Sequence, residues 1–114
     1  STALGVTNSL VAAGFTKDNI PVITGQDCDV ANTKNMIAGL QAMSVFKDTR
    51  TLAEQTVAMV SDLLSGKEPE VNAEYDNKVK MVASFNCTPV FADVNNYEAL
   101  LIESGYYKAE DLAN

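Results

Sequence analysis

Residues 20–29 (IPVITGQDCD) constrain the fold of this chain more than any other stretch. A proline opens a short β-branched run, Val22-Ile23, which stops at a glycine and is followed at once by polar side chains. Such a run, bounded by proline and glycine, predicts a strand buried on both faces of a parallel sheet. Ligands of such sheets bind beyond the carboxyl ends of the strands. Gln26 and Asp27 therefore lie where a ligand is expected.

Helical patterns and apolar runs alternate along the first half of the chain. The spacing predicts a first helix that ends at Gly14, a second over residues 30–40 capped by Asp29, a strand over residues 42–46, and a long helix to about Ser65. This order predicts an α/β domain with right-handed crossovers, in which helices flank a parallel sheet.

The long third helix has two competing start signals. Thr51 and Glu54 fit a capping box, while Asp48 and Thr49 are caps one turn earlier. The helical spacing of its apolar side chains predicts a buried stripe, formed by Leu52, Thr56, Val60, Leu63 and Leu64.

The last third of the chain has a different character. Residues 67–77 are polar and predict a loop, and residues 79–82 and 89–94 predict two extended segments. Residues 95–98 are expected to cap a terminal helix that stops at Gly105.

Composition excludes several classes of function. The chain has 114 residues, enough for one domain with a real core, and 46% of them are hydrophobic. Its net charge of −7 and scattered basic residues argue against a nucleic-acid partner. No apolar run approaches the ~20 residues that span a bilayer. Because Ser1 opens directly into a helical pattern without an initiator methionine, we expect a mature or excised piece of something longer.

The residues needed for catalysis or metal binding are missing from the sequence. The chain has no histidine, which excludes Ser-His-Asp and Cys-His arrangements. Cys28 has no neighbouring base and is interpreted as a buried structural thiol, and its spacing from Cys87 does not resemble a disulfide framework. Asp27-x-Asp29 begins like a calcium loop but does not continue as one. We therefore expect no enzyme activity, no metal and no cofactor.

Two charged residues remain as candidates for ligand binding. Asp27 and Lys47 each follow a predicted core strand, and parallel neighbours about 5 Å apart would let both side chains reach one small ligand. A carboxylate accepts hydrogen bonds from vicinal hydroxyls and an ammonium donates to a sugar oxygen. The alternative from position alone is that Asp27 caps a helix and Lys47 is a solvated loop residue.

Longer strings of the sequence resemble one family. These are IPVITGQDCD, MIAGLQAMSVFKDTRTLAEQTVAMVSDLLSGKEPEVN, YDNKVKMVASF and YEALLIESGYYKAEDL. They resemble the carboxyl-terminal portion of periplasmic sugar-binding proteins of ABC transporters, in the branch of xylose-binding and multiple-sugar-binding receptors. The resemblance covers essentially all of the chain, and it depends most on the paired motifs GQD and SVFKDTR.

The resemblance implies a C-terminal lobe of the type I periplasmic-binding-protein fold and a receptor for a monosaccharide, either an aldopentose or an aldohexose. By motif, Asp27 resembles the family's acceptor of sugar hydroxyls and Lys47 its donor, with Gln26 as a secondary contact. It implies a membrane permease as partner and a periplasmic or extracellular location, with a signal peptide in the parent protein and a lipid tether in a Gram-positive cell.

The resemblance also implies missing parts. We expect residues 1–82 to form the C-terminal lobe and residues 83–114 to cross the hinge and pack, with their terminal helix, on an absent N-terminal lobe. Exposed strand edges and an unpartnered helix then predict a swapped or associated dimer. The runner-up is the sugar-sensing effector domain of a LacI-like transcriptional regulator, which shares the fold.

Overall fold

The computed structural model describes residues 2–113, and the chain divides into two compact units. Unit 1 contains the residues up to Phe46 and those from Val90 onward, while unit 2 is Lys47–Pro89. The chain therefore leaves unit 1 after Phe46 and returns to it at Val90. Across residues 2–113, no helix has both the length and the apolar character needed to cross a membrane.

Unit 1 contains helices and short strands in the predicted alternation. Its elements are α1 (Thr2–Ala12), β1 (Thr24–Gln26), α2 (Val30–Ile37), β2 (Met43–Phe46), β5 (Val90–Ala92), a π-helix (Glu98–Glu103) and a short α4 (Ala109–Leu112). Gly14 follows α1 with a φ of 94°, a backbone conformation that suits glycine and ends a helix. The first helix and its stop are confirmed.

The sheet of unit 1 has three strands in the order β1-β2-β5. β1 and β2 are parallel, with Gly25 opposite Ser44, and β5 runs antiparallel to β2. The predicted pairing of two successive parallel strands is confirmed. The expected burial on both faces is wrong for Val22, which is 83% exposed, because β1 lies at the edge of the sheet and begins only at Thr24.

The core of unit 1 joins the early elements to the end of the chain. A buried cluster consists of Cys28, Met36, Phe46, Ala92 and Leu101. The ring of Phe46 meets that of Tyr106 edge to face, with 4.8 Å between centroids. Side chains of β2 alternate between half-buried and buried, and Phe46 is one of the buried residues that face the core.

Unit 2 begins with α3 (Thr49–Leu64), the longest helix among residues 2–113. Asp48 is its N-cap and accepts a hydrogen bond of 2.9 Å from the Arg50 amide, so the earlier of the two start signals is the one used. The predicted buried stripe is wrong: within Thr49–Leu64 no residue is buried, and Leu64 is 85% exposed. Unit 2 adds only a two-stranded hairpin to this helix, which is too small a surface to cover it.

The hairpin of unit 2 corrects the predicted loop over residues 67–77. β3 (Ala73–Asp76) pairs antiparallel with β4 (Met81–Ser84). The turn between them is held by Asn77, whose side chain accepts hydrogen bonds from the amides of Val79 and Lys80 at 3.0 and 2.8 Å. The sequence did not predict β3 as a strand, because its residues are mostly exposed and show no alternation of apolar and polar side chains.

The expected division into a lobe of residues 1–82 and a segment of residues 83–114 that packs on an absent N-terminal lobe stays a prediction. In this chain the residues after Val90 have partners within unit 1. β5 pairs with β2, and Leu101 and Ala92 lie in the same buried cluster as Cys28.

Candidate functional site

The two residues directly after β1 have positive backbone φ angles. Asp27 and Cys28 have φ values of 75° and 51°, in the left-handed region that residues other than glycine rarely enter. Each such residue costs on the order of 1–2 kcal/mol. Strain of this kind persists only where neighbouring contacts hold it, and it concentrates at functional sites. The turn at residues 27–28 is therefore the first structural indication of a site.

The amide groups of this turn are held by β2. The Asp27 amide donates to the Val45 carbonyl at 2.7 Å, which extends the parallel pairing one residue past β1. The Cys28 amide donates to the Ser44 hydroxyl at 3.2 Å, and Ser44 is fully buried. Both strained residues are thus fixed to the neighbouring strand through their backbones.

The carbonyl side of the turn is held by two hydroxyl groups. The Cys28 carbonyl accepts hydrogen bonds from Thr33 Oγ1 at 2.9 Å and from the Tyr107 hydroxyl at 3.0 Å. Thr33 belongs to α2, whereas Tyr107 comes from the end of the chain. The turn is therefore tied to three separate parts of unit 1.

Asp29, and not Asp27, caps α2. Its carboxylate accepts from the Asn32 amide at 3.0 Å and from Asn32 Nδ2 at 2.8 Å. The predicted capping role of Asp29 is confirmed. The alternative reading of Asp27 as a helix cap is wrong, because that role is filled by Asp29 two residues later.

Asp27 and Gln26 line an open cleft of about 740 Å³ in unit 1. The cleft runs along β1 between the first turns of α1 and two residues of β2, Met43 and Val45. Among the described residues that line it, Asp27 is the ionisable one, and the lining combines polar side chains with apolar ones. A carboxylate in a cleft of mixed polar and apolar lining suits a ligand with hydroxyl groups on one edge and C–H surface on a face.

Gly25 and Gln41 pack unusually closely beneath this cleft. A Cβ on Gly25 would lie 2.6 Å from Gln41 Nε2, and Gln41 is only 2% exposed. The same nitrogen donates to the Met43 carbonyl at 3.0 Å. The glycine before Gln26 and Asp27 is thus required by a neighbouring side chain. The sequence alone gave no signal for this contact.

Cys28 is buried, in agreement with its interpretation as a structural thiol. Burial raises the pKa of the Cys28 thiol, and the carboxylates of Asp27 and Asp29 add to the rise, against a lowering by the hydrogen bond to Ser44. The thiol therefore stays protonated at neutral pH and is a poor nucleophile. Both cysteines, Cys28 and Cys87, carry free thiols.

Lys47 lies in unit 2, one residue after β2 ends. It lines a small cavity of about 120 Å³ together with Asp48, Thr51 and Leu52 of the α3 start and residues 87–89. Because Lys47 and Asp27 belong to different units, their joint action on one ligand stays a prediction. Among residues 2–113 there is no cluster of three or more His, Cys, Asp or Glu residues that could hold a metal ion.

Curated relatives of the chain are sugar-binding receptors. The multiple sugar-binding periplasmic receptor ChvE of Rhizobium radiobacter is 46% identical over 96% of this chain, which spans 32% of that protein. The D-xylose-binding periplasmic protein of Escherichia coli is 33% identical over 98% of this chain, which spans 33% of that protein. The chain therefore spans about a third of the length of the curated relatives that it matches. No family model matches it.

Solved structures show the same fold. An ABC-transporter solute-binding protein from Clostridium phytofermentans with bound β-D-glucose superimposes with a TM-score of 0.91 at 54% identity, over 98% of this chain and 35% of that one. A carbohydrate-transporter solute-binding protein from Chloroflexus aurantiacus in complex with D-glucose gives a TM-score of 0.78 at 39% identity, over 82% of this chain and 27% of that one. The predicted α/β fold of type I periplasmic binding proteins is confirmed, and this chain is similar, over about one third of their length, to periplasmic sugar-binding receptors and to solute-binding proteins of ABC transporters.

Proposed function

We propose that this chain is the C-terminal portion of an extracytoplasmic receptor that binds a monosaccharide for import by an ABC transporter. The observation that supports this most is the position of Asp27, on a strained turn that is held by hydrogen bonds and lines the β1 cleft. The relatives are named for multiple sugars and for xylose, and two similar structures contain glucose. An aldopentose or an aldohexose is therefore the expected ligand.

In this proposal Asp27 accepts hydrogen bonds from two neighbouring sugar hydroxyls. A carboxylate held in one orientation can take both, and a sugar that lacks either hydroxyl leaves a lone pair unpaired and binds less well. Gln26, also in the cleft lining, provides a secondary amide contact. Lys47 donates from its ammonium group to a ring or hydroxyl oxygen.

The receptor is proposed to bind and release its sugar without chemical change. Sugar contacts made by two lobes favour the closed form over the open form, and the membrane permease recognises that closed form. Because the relatives are periplasmic, we place the receptor in the periplasm or outside the cell, tethered by lipid where the cell has a single membrane.

The rest of the receptor is proposed to supply the remaining sugar contacts and an N-terminal lobe. By itself the chain has an edge strand, β1, whose pairing within residues 2–113 is with β2. Such an edge, next to an open cleft, favours a swapped or associated dimer of the isolated chain. Size-exclusion chromatography with light scattering tests this, and a monodisperse monomer would contradict it.

The decisive experiment is calorimetric titration of the complete receptor with xylose, glucose, galactose, arabinose and ribose. Wild-type protein is compared with Asp27→Ala and with a matched control, Asp18→Ala, which removes an exposed carboxylate outside the cleft lining. We expect at least one sugar to bind. Its affinity should fall by about 2 kcal/mol or more, roughly 30-fold, in Asp27→Ala and not in the control.

Lys47 is tested in the same way, by comparing Lys47→Ala with Lys67→Ala, an exposed lysine in the segment after α3. Loss of affinity in the first variant alone supports the donor role. Absence of binding to all five sugars would contradict the receptor proposal and favour a regulator that senses a different effector.

A further inference from the structure

Tyr107 forms a long-range hydrogen bond to the turn that carries Asp27. Its hydroxyl donates to the Cys28 carbonyl at 3.0 Å, and the two residues are 79 positions apart in the chain. The same carbonyl accepts from Thr33 Oγ1 at 2.9 Å, but Thr33 lies only five residues away, on the helix that the turn leads into. Tyr107 is therefore the contact that ties this turn to a distant part of unit 1.

The bonded carbonyl belongs to the second of two consecutive strained residues. With φ at 75° and 51°, Asp27 and Cys28 would relax toward commoner backbone conformations if nothing held them. The amides of both are fixed to β2. The hydrogen bonds from Thr33 and Tyr107 to the Cys28 carbonyl restrain rotation of the peptide group after Cys28. If Cys28 relaxed toward a commoner backbone conformation, its peptide link to Asp27 would shift with it.

Tyr107 is itself held firmly enough to act as an anchor. Its amide donates to the Leu101 carbonyl at 2.7 Å, and Leu101 is fully buried. Its ring meets that of Tyr106 edge to face at 4.9 Å, and Tyr106 packs in turn on Phe46. The hydroxyl is therefore delivered from a packed segment, as a positioning group requires.

The protonation state of Tyr107 is compatible with this role. Burial raises the pKa of the Tyr107 hydroxyl above its ordinary value, and the negative charges of nearby groups, including Asp29 and Asp111, add to the rise. The hydroxyl thus keeps its proton, and its ability to donate, throughout the neutral pH range.

We propose that Tyr107 is a positioning residue for sugar binding, because its hydroxyl fixes the Cys28 carbonyl and so holds the Asp27 carboxylate in the cleft. This inference depends on the proposed function, since it gives Asp27 its role as a sugar contact. Tyr107 does not line the cleft and is not expected to touch the sugar.

The test uses the complete receptor with Tyr107→Phe, which removes only the hydroxyl. The matched control is Tyr75→Phe, which removes an exposed hydroxyl from β3. Calorimetry should show sugar affinity about 3- to 10-fold weaker in Tyr107→Phe, the range expected for one neutral hydrogen bond, and unchanged in Tyr75→Phe.

A double-mutant cycle separates positioning from general stability. Asp27→Asn keeps a weaker acceptor, so that binding can still be measured, and Tyr107→Phe is then added to it. If Tyr107 acts through the Asp27 carboxylate, its effect on affinity shrinks markedly in that background. A residue that only stabilises the fold lowers the melting temperature but does not change the affinity of the folded protein.

The outcomes distinguish this inference from the proposed function. If wild-type receptor binds none of the sugars, the proposed function fails. If it binds sugar and Tyr107→Phe binds with equal affinity, or if the loss is the same in both backgrounds, the positioning role of Tyr107 is wrong while the receptor function stands.

Discussion

Gln41 occupies the place that a side chain on Gly25 would need. A Cβ at residue 25 would lie 2.6 Å from Gln41 Nε2 and 3.2 Å from the Cβ of Ala3. Gln41 cannot move aside at little cost, because it is buried and its Nε2 donates to the Met43 carbonyl. Gly25 is thus required for close packing between β1 and its neighbours, and its role differs from that of the helix-ending Gly14.

We expect Gly25→Ala to lower the free energy of unfolding by about 1–3 kcal/mol, the usual cost of overpacking a buried site. Gly5→Ala is the matched control, because nothing lies within 4 Å of a Cβ there and alanine favours the interior of α1. The control should stabilise the protein by up to about 1 kcal/mol. Urea unfolding followed by circular dichroism measures both.

The same close contact predicts non-additivity. Gln41→Ala removes the group that a new Cβ would meet, so Gly25→Ala should cost less in that background. Equal costs in the two backgrounds would show that the clash with Gln41 is not the cause.

The left-handed backbone at Asp27 predicts that two substitutions there differ in stability. Glycine enters the left-handed region readily and alanine does not, so Asp27→Gly is expected to be about 1 kcal/mol more stable than Asp27→Ala. Both variants lack the carboxylate and should lose sugar affinity alike. Thermal unfolding and calorimetry on the same samples check this, and an Asp27→Gly protein less stable than Asp27→Ala would contradict the strained turn.

The two cysteines should react at very different rates. Cys28 is completely buried with a raised thiol pKa, whereas Cys87 is half-buried and lines a cavity at the start of α3. At pH 8, iodoacetamide should label Cys87 first, with Cys28 becoming reactive only on unfolding in urea. Peptide mass spectrometry assigns the sites. Early modification of Cys28 in the folded protein would be inconsistent with its burial.

The start of α3 should depend on pH through Asp48. Its side-chain hydrogen bond to Arg50 holds the pKa of the Asp48 carboxyl below the ordinary value of 3.8. A lowered carboxyl pKa stabilises the fold above the unfolded-state pKa, and this stabilisation is lost as the pH falls through the folded-state value. Helicity should therefore decline more as the pH falls below the ordinary carboxyl pKa of 3.8 in wild type than in Asp48→Asn.

The matched control for Asp48→Asn is Glu68→Gln, in the exposed segment after α3. Its acid titration, followed by circular dichroism at 222 nm, should resemble that of wild type. Identical titrations of wild type and Asp48→Asn would mean that the Asp48–Arg50 pair, with 2.7 Å between Arg50 Nη2 and Asp48 Oδ2, contributes nothing to the helix.

The order of the early elements could be predicted from the sequence because each carries a local signal. α1 ends where a glycine follows the last helical turn, α2 begins at Asp29, and the strand that ends at Phe46 was a short apolar run. Asp27 could be placed at a strand end for the same reason. The hairpin of unit 2 could not be predicted, because its first strand is polar and exposed on both faces.

The supports of the candidate site carry no sequence signal. Aspartate tolerates the left-handed region better than most residues, but Cys28 gives no hint of it. Tyr107 reaches the Cys28 carbonyl only after the end of the chain has folded back onto unit 1. Gln41 likewise constrains Gly25 from sixteen positions away. Such contacts depend on tertiary packing, so spacing along the chain does not reveal them.

The exposure of α3 has a consequence for how the chain unfolds. A helix of sixteen residues with none buried depends on its N-cap and its intrinsic propensity, because most helical stability in proteins comes from tertiary packing. Unit 1, in contrast, has a shared core. On heating the isolated chain, we expect α3 to melt gradually and before unit 1, as a helix–coil transition. Two probes, one on each unit, would then report different melting curves, and the chain would not unfold as a single cooperative unit.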